Sequence, residues 1–232
     1  MNTPVLPVVA SRSWRRFAVT LACAAALAGL AHAVWAQAPS NPNLNAQLLV
    51  AARQNDLAAV ERALANGAEP ESRNRLGKTA LLIAAERGNL DMASALLKAG
   101  ADVNTASLER VTPLMAASYQ GSAGVVKRLL GAGAKTEPVD RMNKPAAVYA
   151  AGQGHAAALD ALLAAGVDAN AVYEHRLTAL MWAAGQGHVE AVKLLLARGA
   201  RPDIRDDRGL TAREIARDAG QAAVVALFPA AP

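Results

Sequence analysis

Five glycines recur along this chain at one constant interval. A second set of residues, mostly threonines, repeats at the same interval. The two sets are Gly67, Gly100, Gly133, Gly166 and Gly199, and Thr79, Thr112, Pro145, Thr178 and Thr211. An unbroken period of about 33 residues predicts a stack of about six similar units, in which each unit buries its apolar side against its neighbours.

The residues inside one period predict two helices and a loop. The repeated Thr can accept a hydrogen bond from the free amides at a helix start, and Pro113 suits the first helical position. A second helix, rich in leucine, ends at the repeated Gly in a left-handed conformation. Residues 101–104 (Ala-Asp-Val-Asn) are turn formers. The predicted fold is therefore mainly α: an α-solenoid of about six helix-turn-helix units joined by hairpin-like loops.

The composition agrees with closely packed helices. Apolar residues make up 53% of the chain but aromatic residues only 3%, so the interior must consist of Ala, Leu and Val. The net charge of +5 has a local origin, because Arg12, Arg15 and Arg16 precede the first acidic residue, Asp56, and the later charges nearly balance. No run of Lys or Arg follows. We therefore expect no nucleic-acid partner.

The N-terminus predicts export. A basic segment ends at Arg16, residues 17–30 carry no charge, and small residues follow at cleavage-type positions. We expect a secretory leader over residues 1–36, cut after Ala36 or Ala38, and a periplasmic location. The alternative is an uncleaved inner-membrane anchor facing the periplasm, because residues 17–36 are long enough to span a bilayer.

The rest of the chain divides into three predicted parts: a linker over residues 37–44, the repeat domain over residues 45–228, and a C-terminal tail over residues 229–232. The only cysteine, Cys23, lies in the predicted leader. We therefore expect no disulfide, thiolate metal site or cysteine nucleophile in the mature protein.

The residues that could support catalysis have simpler explanations. His155 and His188 are one period apart and are attributed to helix starts, while His175 is predicted at a loop tip. Asp206 and Asp207 are neighbouring loop acids, expected to be solvated. There is no Gly-x-Ser-x-Gly motif and no phosphate-binding glycine loop. We predict no enzyme, no catalytic residue, no metal and no cofactor.

Short motifs identify a family resemblance. Thr112-Pro113-Leu114, residues 100–104 and residues 178–200 resemble ankyrin repeats over about residues 45–228. The His that follows Thr-Pro-Leu in that family is replaced in every unit, so we expect no polar link between this position and the Thr hydroxyl. The replacing residues are Leu82, Met115, Val148, Met181 and Glu214. Pro145 and Ala147 remove a cap and a large core group, which predicts that the fourth unit is soft.

The resemblance implies a concave surface, formed by loop tips and the ends of the first helices, that binds another protein. Carrying the family's positions over one unit at a time gives the candidate residues Arg75, Lys78, Glu86, Arg87, Glu109, Tyr119, Gln120, Arg141, Lys144, Gln153, His175, Gln186 and Arg208. For each of these residues taken alone, ordinary solvated surface is the favoured interpretation. Tyr149 and Trp182 share a register with Ile83 and Ala116, so we expect both rings in the core.

On this basis the sequence is identified as a bacterial exported ankyrin repeat protein. We expect a monomer that binds another protein, of unknown identity, and that does not contact the membrane once its leader is removed. Two other functions stay open. One is an immunity-type or inhibitory protein that caps a toxic or secreted enzyme. The other is a structural spacer tethered to the membrane by an uncleaved leader.

Overall fold

The computed structural model describes residues 41–229, which form helices in six consecutive pairs. The predicted leader, residues 37–40 of the predicted linker and residues 230–232 of the predicted tail lie outside the described residues. In chain order the helices are α1 (Pro42–Gln54), α2 (Leu57–Ala65), α3 (Ala80–Arg87), α4 (Leu90–Lys98), α5 (Pro113–Gln120), α6 (Ala123–Gly131), α7 (Ala146–Gly152), α8 (Ala156–Ala164), α9 (Ala179–Gly185), α10 (Val189–Ala197), α11 (Ala212–Asp218) and α12 (Ala222–Val225).

The pairs stack in the order of the chain. The two helices of each pair pack together, as α1 does with α2 and α11 with α12. First helices contact first helices of the next pair, from α1 with α3 to α9 with α11, and second helices likewise contact second helices. Each pair is thereby covered by its neighbours. The α-solenoid of six helix-turn-helix units predicted from the period is confirmed.

Threonine caps begin most of the first helices, as predicted. Thr79, Thr112 and Thr178 each accept a hydrogen bond at Oγ1 from the backbone N–H three residues on, at 3.3 Å. Helix α7 begins after Pro145 and has no side-chain cap. That helix start therefore lacks the hydrogen bond that the other first helices of units two to six possess.

One expectation is wrong at α11, the first helix of the sixth pair. Glu214 occupies the position at which we expected no polar link to the Thr hydroxyl. The hydroxyl of Thr211 donates a hydrogen bond to Glu214 Oε2 at 2.7 Å. The backbone N–H of Thr211 donates to the same oxygen at 2.8 Å. Together these bonds complete a capping box. The link forms because the Glu carboxylate is long enough to reach back to the cap residue.

The repeated glycines end the second helices in the left-handed region. Gly100, for example, has φ +91° and donates its N–H to Leu97 O at 3.1 Å, while Ala101 N–H reaches Leu96 O at 3.0 Å. A side chain at such a φ would be strained, which explains why Gly recurs here.

The core consists of small residues on the first helices and leucines on the second. Ala84, Ala85, Ala117, Ala150, Ala151, Ala183 and Ala184 are fully buried, and so are Leu96, Leu129, Leu162 and Leu195. The second leucine of each Leu-Leu pair is only partly buried. Small alanine faces let neighbouring first helices approach closely, so few aromatic rings are needed to fill the interior.

The start of the stack differs from the prediction. Residues 42–44, assigned to a flexible linker, form the first turn of α1. The side chain of Asn41 accepts hydrogen bonds from the N–H groups of Asn43, at 3.1 Å, and Leu44, at 3.4 Å. Asn41 is thus an N-cap and Pro42 is a proline in the first helical turn.

Candidate functional site

In the described residues five loops join one unit to the next, and we number them in chain order: residues 66–79, 99–112, 132–145, 165–178 and 198–211. A polar side chain organises most of these loops. Asp140 Oδ1 accepts hydrogen bonds from the N–H groups of Met142, at 2.9 Å, and Lys144, at 2.8 Å. Asn74 and Asp206 do the same in their own loops, and Ser107 accepts from Val111 N–H at 3.3 Å. These turns fix the direction in which the loop-tip side chains project.

Backbone hydrogen bonds join neighbouring loop tips. Leu108 N–H donates to Leu76 O at 3.0 Å, Arg141 N–H to Glu109 O at 3.3 Å, and Asp207 N–H to His175 O at 3.1 Å. Among residues 41–229, no such bond joins the third loop, around Met142, to the fourth. The fourth loop has Tyr173 where the other loops have Asn, Ser or Asp, and its chain forms a 3₁₀ turn over Glu174–Arg176 instead.

The loop tips and the C-terminal ends of α3, α5, α7 and α9 lie side by side and form what we call the loop-side surface. Lys78 in the first loop and Glu86 at the end of α3 form an ion pair at 2.6 Å, which joins a loop to a helix end. All thirteen candidate residues are exposed or partly exposed. Three cavities on this surface bring some of them together and leave others apart.

The first cavity, of about 720 Å³, lies between α1, the first loop and α3. It brings together four of the candidate residues, namely Arg75, Lys78, Glu86 and Arg87. Arg53 and Val50 on α1, and Arg73 in the loop, also line it. Sequence reasoning missed Val50 and Arg53 because the family positions were carried over from loops and from the ends of the helices that follow them, and α1 has no loop before it in the described chain. It missed Arg73 because this residue lies two positions before Arg75, the first loop position that was carried over.

The second cavity, of about 380 Å³, is mainly apolar and lies at the ends of α3 and α5. It contains the candidates Glu86, Tyr119 and Gln120, together with Met115 and Tyr149. The rings of Tyr119 and Tyr149 meet edge to face, with centroids 5.7 Å apart and planes at 83°. This geometry is favourable for aromatic pairs and orients the exposed Tyr119 ring.

Tyr149 is anchored at its hydroxyl group, which donates a hydrogen bond to Asp140. Burial, followed by this hydrogen bond and the charge of Asp140, raises the pKa of Tyr149 above its ordinary value. The expectation that Tyr149 lies in the core is wrong: its ring is half-buried, and one side faces the second cavity.

The third cavity, of about 210 Å³, opens where the third and fourth loops lack a connecting hydrogen bond. Lys144 and His175 are the candidates that line it, beside Met142 and Trp182. The Lys144 ammonium lies 4.5 Å from the centroid of the Trp182 ring, within range of a cation–π interaction. Trp182 is also half-buried, so its predicted place in the core is wrong.

The remaining candidates line none of these cavities. Glu109 and Arg141 form an exposed ion pair at 3.4 Å across the second and third loops. Arg208 binds Asp206 within its own loop at 2.7 Å. Gln153 and Gln186 stand exposed at helix ends. The structure thus brings together the candidates near α3 and α5, and it forms two smaller groups, Lys144 with His175 and Glu109 with Arg141. It leaves Gln153, Gln186 and Arg208 apart from the other candidates.

Asp206 does not behave as the solvated loop acid that the sequence suggested. It is only 5% exposed. Burial raises the pKa of this carboxyl group, but hydrogen bonds from Leu210 N–H and from the Arg208 side chain and N–H outweigh burial and hold the pKa below its ordinary value. Asp206 is the turn-forming residue of the last loop.

Two of the three histidines within residues 41–229 connect neighbouring units. His155 and His188 occupy N-cap positions, but neither ring caps its own helix. The Nε2 of His155 lies 2.9 Å from Tyr119 O, and that of His188 lies 2.9 Å from Gly152 O. Both histidines lie at helix starts, as expected, but their rings contact the preceding unit and do not cap the helix. His175 is an exposed loop residue beside Asp207, at 3.7 Å.

Within residues 41–229, no group of three or more His, Cys, Asp and Glu side chains is placed to hold a metal ion. Over the same range, no helix has both the length and the hydropathy required to cross a membrane.

Comparison with known proteins gives a consistent result. A family model described as ankyrin repeats (3 copies) matches residues 48–140 and again residues 147–229, well over half of the chain. A crystal structure of the ankyrin repeat protein EF0377 is similar, with 28% sequence identity and a TM-score of 0.72, covering 79% of this chain and 96% of that one. No curated protein matches. Because 547 chains of solved structures match, the fold alone indicates no particular partner.

Proposed function

This chain belongs to the ankyrin repeat family, and from that premise we propose that it is an exported module that binds a partner protein through the loop-side surface. Ankyrin repeats generally mediate protein–protein interaction, and ankyrin repeat proteins are typically non-enzymatic binding modules. The proposal adds a surface, an anchor residue and a location to that general role.

The observation that carries the proposal is the apolar character of the loop tips. Leu76, Leu108 and Met142 are 61%, 59% and 56% exposed, although loop tips are ordinarily polar. Together with Tyr119, 54% exposed, they place four large apolar side chains on one side of the stack. Exposed apolar groups that are rimmed by charged residues are typical of protein interfaces.

Tyr119 is the anchor that we assign to this interface. It stands beside the second cavity, its ring is held by Tyr149, and its backbone carbonyl accepts the His155 hydrogen bond. Because the Tyr149 ring restrains the Tyr119 ring on one side, Tyr119 loses less conformational entropy when a partner covers it. Tyr is also among the residue types that most often dominate interface energies.

The location is part of the proposal and rests on the sequence of residues 1–36. The basic start, the uncharged segment and the small residues after it support delivery to the periplasm by ordinary secretion. Separation of membrane and soluble fractions tests this, and recovery of the whole protein with the inner membrane would favour the tethered spacer instead.

Recovery of a partner from the exported fraction tests the interface. Tyr119→Ala combined with Leu108→Ser should lose the proteins that the unaltered chain retains, because the two changes remove the apolar anchors. Lys127→Ala combined with Arg128→Ala, on exposed positions of α6, is the matched control. Equal recovery by all three would contradict the proposal. If an enzyme is retained and its turnover falls on binding, the module is an inhibitor.

A further inference from the structure

The first cavity differs from the other two in combining apolar walls with an excess of positive charge. Leu49 and Ile83 contribute apolar atoms to it, and the exposed side chains of Val50 and Leu76 stand at its edge. It is also the largest of the three. Such a cavity can accept a large apolar side chain while charged groups surround it.

Five cationic side chains line this cavity, against the single carboxylate of Glu86. The five are Arg53, Arg73, Arg75, Lys78 and Arg87. Only Lys78 is neutralised, by Glu86. Within residues 41–229, the four arginines form no ion pair with a carboxylate. Arg87 donates to Arg53 O at 3.0 Å and Arg73 to Ala106 O at 3.4 Å, which orders these two side chains without balancing their charge.

The chain's own N-terminal segment cannot supply the missing negative charge. It contains no Asp or Glu before Asp56. At the other end of the stack the situation differs, because Arg205, Arg208 and Arg217 each have a carboxylate partner. The preceding residues of this chain therefore leave the positive charge of the first cavity unbalanced.

We infer that the first cavity binds an acidic segment of the partner protein, in which Asp or Glu side chains flank a large apolar side chain such as Leu or Phe. The inference rests on the proposed function, and it specifies which kind of partner segment binds at one end of the loop-side surface. Guanidinium groups pair with carboxylates through two parallel hydrogen bonds, and the apolar side chain enters between Val50 and Leu76.

Selection of random phage-displayed peptides on the full-length protein tests this inference. The peptides that are enriched should contain Asp or Glu around one large apolar residue. Synthetic, fluorescently labelled copies then serve as probes in anisotropy titrations. Replacing their acids by Asn and Gln should weaken binding by about tenfold or more, and added salt should weaken the parent peptides further.

Variants of the protein locate the binding. Arg53→Gln combined with Arg75→Gln should weaken binding of the acidic peptides by about tenfold, the effect of losing two ion pairs. Neither side chain makes a hydrogen bond or ion pair within the described residues, so the fold should persist. Lys127→Gln combined with Arg128→Gln removes the same charge elsewhere and should change affinity by less than about twofold.

Three results would overturn the inference: enriched peptides without acidic residues, acidic peptides that bind the arginine variant as tightly as the unaltered protein, or equal arginine-dependent binding of a single-stranded oligonucleotide or of phosphatidylglycerol vesicles. If non-acidic peptides bind and Tyr119→Ala abolishes their binding, the proposed function stands and this inference alone fails. If no peptide is enriched, the inference fails, and recovery of the whole partner decides the proposed function separately.

Discussion

The imidazole Nε2 of His155 lies 2.9 Å from the backbone carbonyl oxygen of Tyr119, so a residue at the start of α8 is hydrogen-bonded to the end of α5 in the preceding unit. The same hydrogen bond therefore stabilises the contact between two units and restrains the backbone of Tyr119, the proposed anchor residue. His188 repeats the contact one unit later, with Gly152 O.

Removing either of these histidines should weaken the interface between units. His155→Ala and His188→Ala are each expected to lower the free energy of unfolding by about 0.5–1.5 kcal/mol, the net value of one hydrogen bond. Urea titration followed by circular dichroism measures this. His175→Ala is the control, because His175 is an exposed loop residue. A surface change of this kind should alter stability by at most about 0.5 kcal/mol. Equal effects of all three changes would disprove the bridging role.

A second test concerns Gly121, whose added Cβ would overlap the ring of His155. Gly121→Ala should destabilise the protein more than Gly133→Ala, because both residues have positive φ but nothing lies within 4 Å of a Cβ at Gly133. The left-handed conformation alone costs about 1 kcal/mol. In a His155→Ala background the excess cost at Gly121 should vanish, and a double-mutant cycle measures it. An excess that persists there would exclude the overlap as its cause.

The fourth unit should open more readily than the third. Helix α7 has no side-chain cap, and Ala147 stands where three other units carry a leucine. Hydrogen exchange should therefore show lower protection over residues 140–165 than over α5 and α6. The Tyr149–Asp140 hydrogen bond offsets part of this loss. Protection there equal to or above that of every other unit would refute the prediction.

Asp206 should make stability depend on pH at acidic values. Its folded-state pKa lies below the ordinary value of 3.8, so its contribution is present above that value and is lost as the pH falls through the folded-state pKa. Asp206→Asn keeps an oxygen for the turn but does not titrate. The unaltered protein should therefore lose more stability than the variant between about pH 7 and about pH 3. Parallel loss in both proteins would contradict this assignment.

The period of the sequence predicted the helices, their caps and the glycine ends, because each of these depends on residues close together in the chain. It predicted that the units stack, but not which side chains reach from one unit to the next outside the core. Ile83 and Ala116 are buried in their register, whereas the larger rings of Tyr149 and Trp182 extend past the core to the loops. Within one register, the size of the side chain therefore decides whether it stays in the core or extends to the loops.

The loops were the least predictable part of the candidate site. Asp206 and Asp207 are neighbours in the sequence, yet one is buried in a turn and the other is exposed, because hydrogen bonds to residues two and four positions later select Asp206. The basic cavity was missed for another reason: it combines α1 with a loop that follows the next helix of the chain. Local patterns contain no information about such a combination.

Photo-crosslinking in cells tests the central proposal most directly. A photoreactive amino acid placed at Leu108 or Tyr119, on the loop-side surface, should give the same discrete adduct with a partner protein. The same amino acid at Lys127 or Lys193, on exposed positions of α6 and α10, should give none. Adducts of equal yield at all four positions, or only at Lys127 and Lys193, would contradict binding through the loop-side surface.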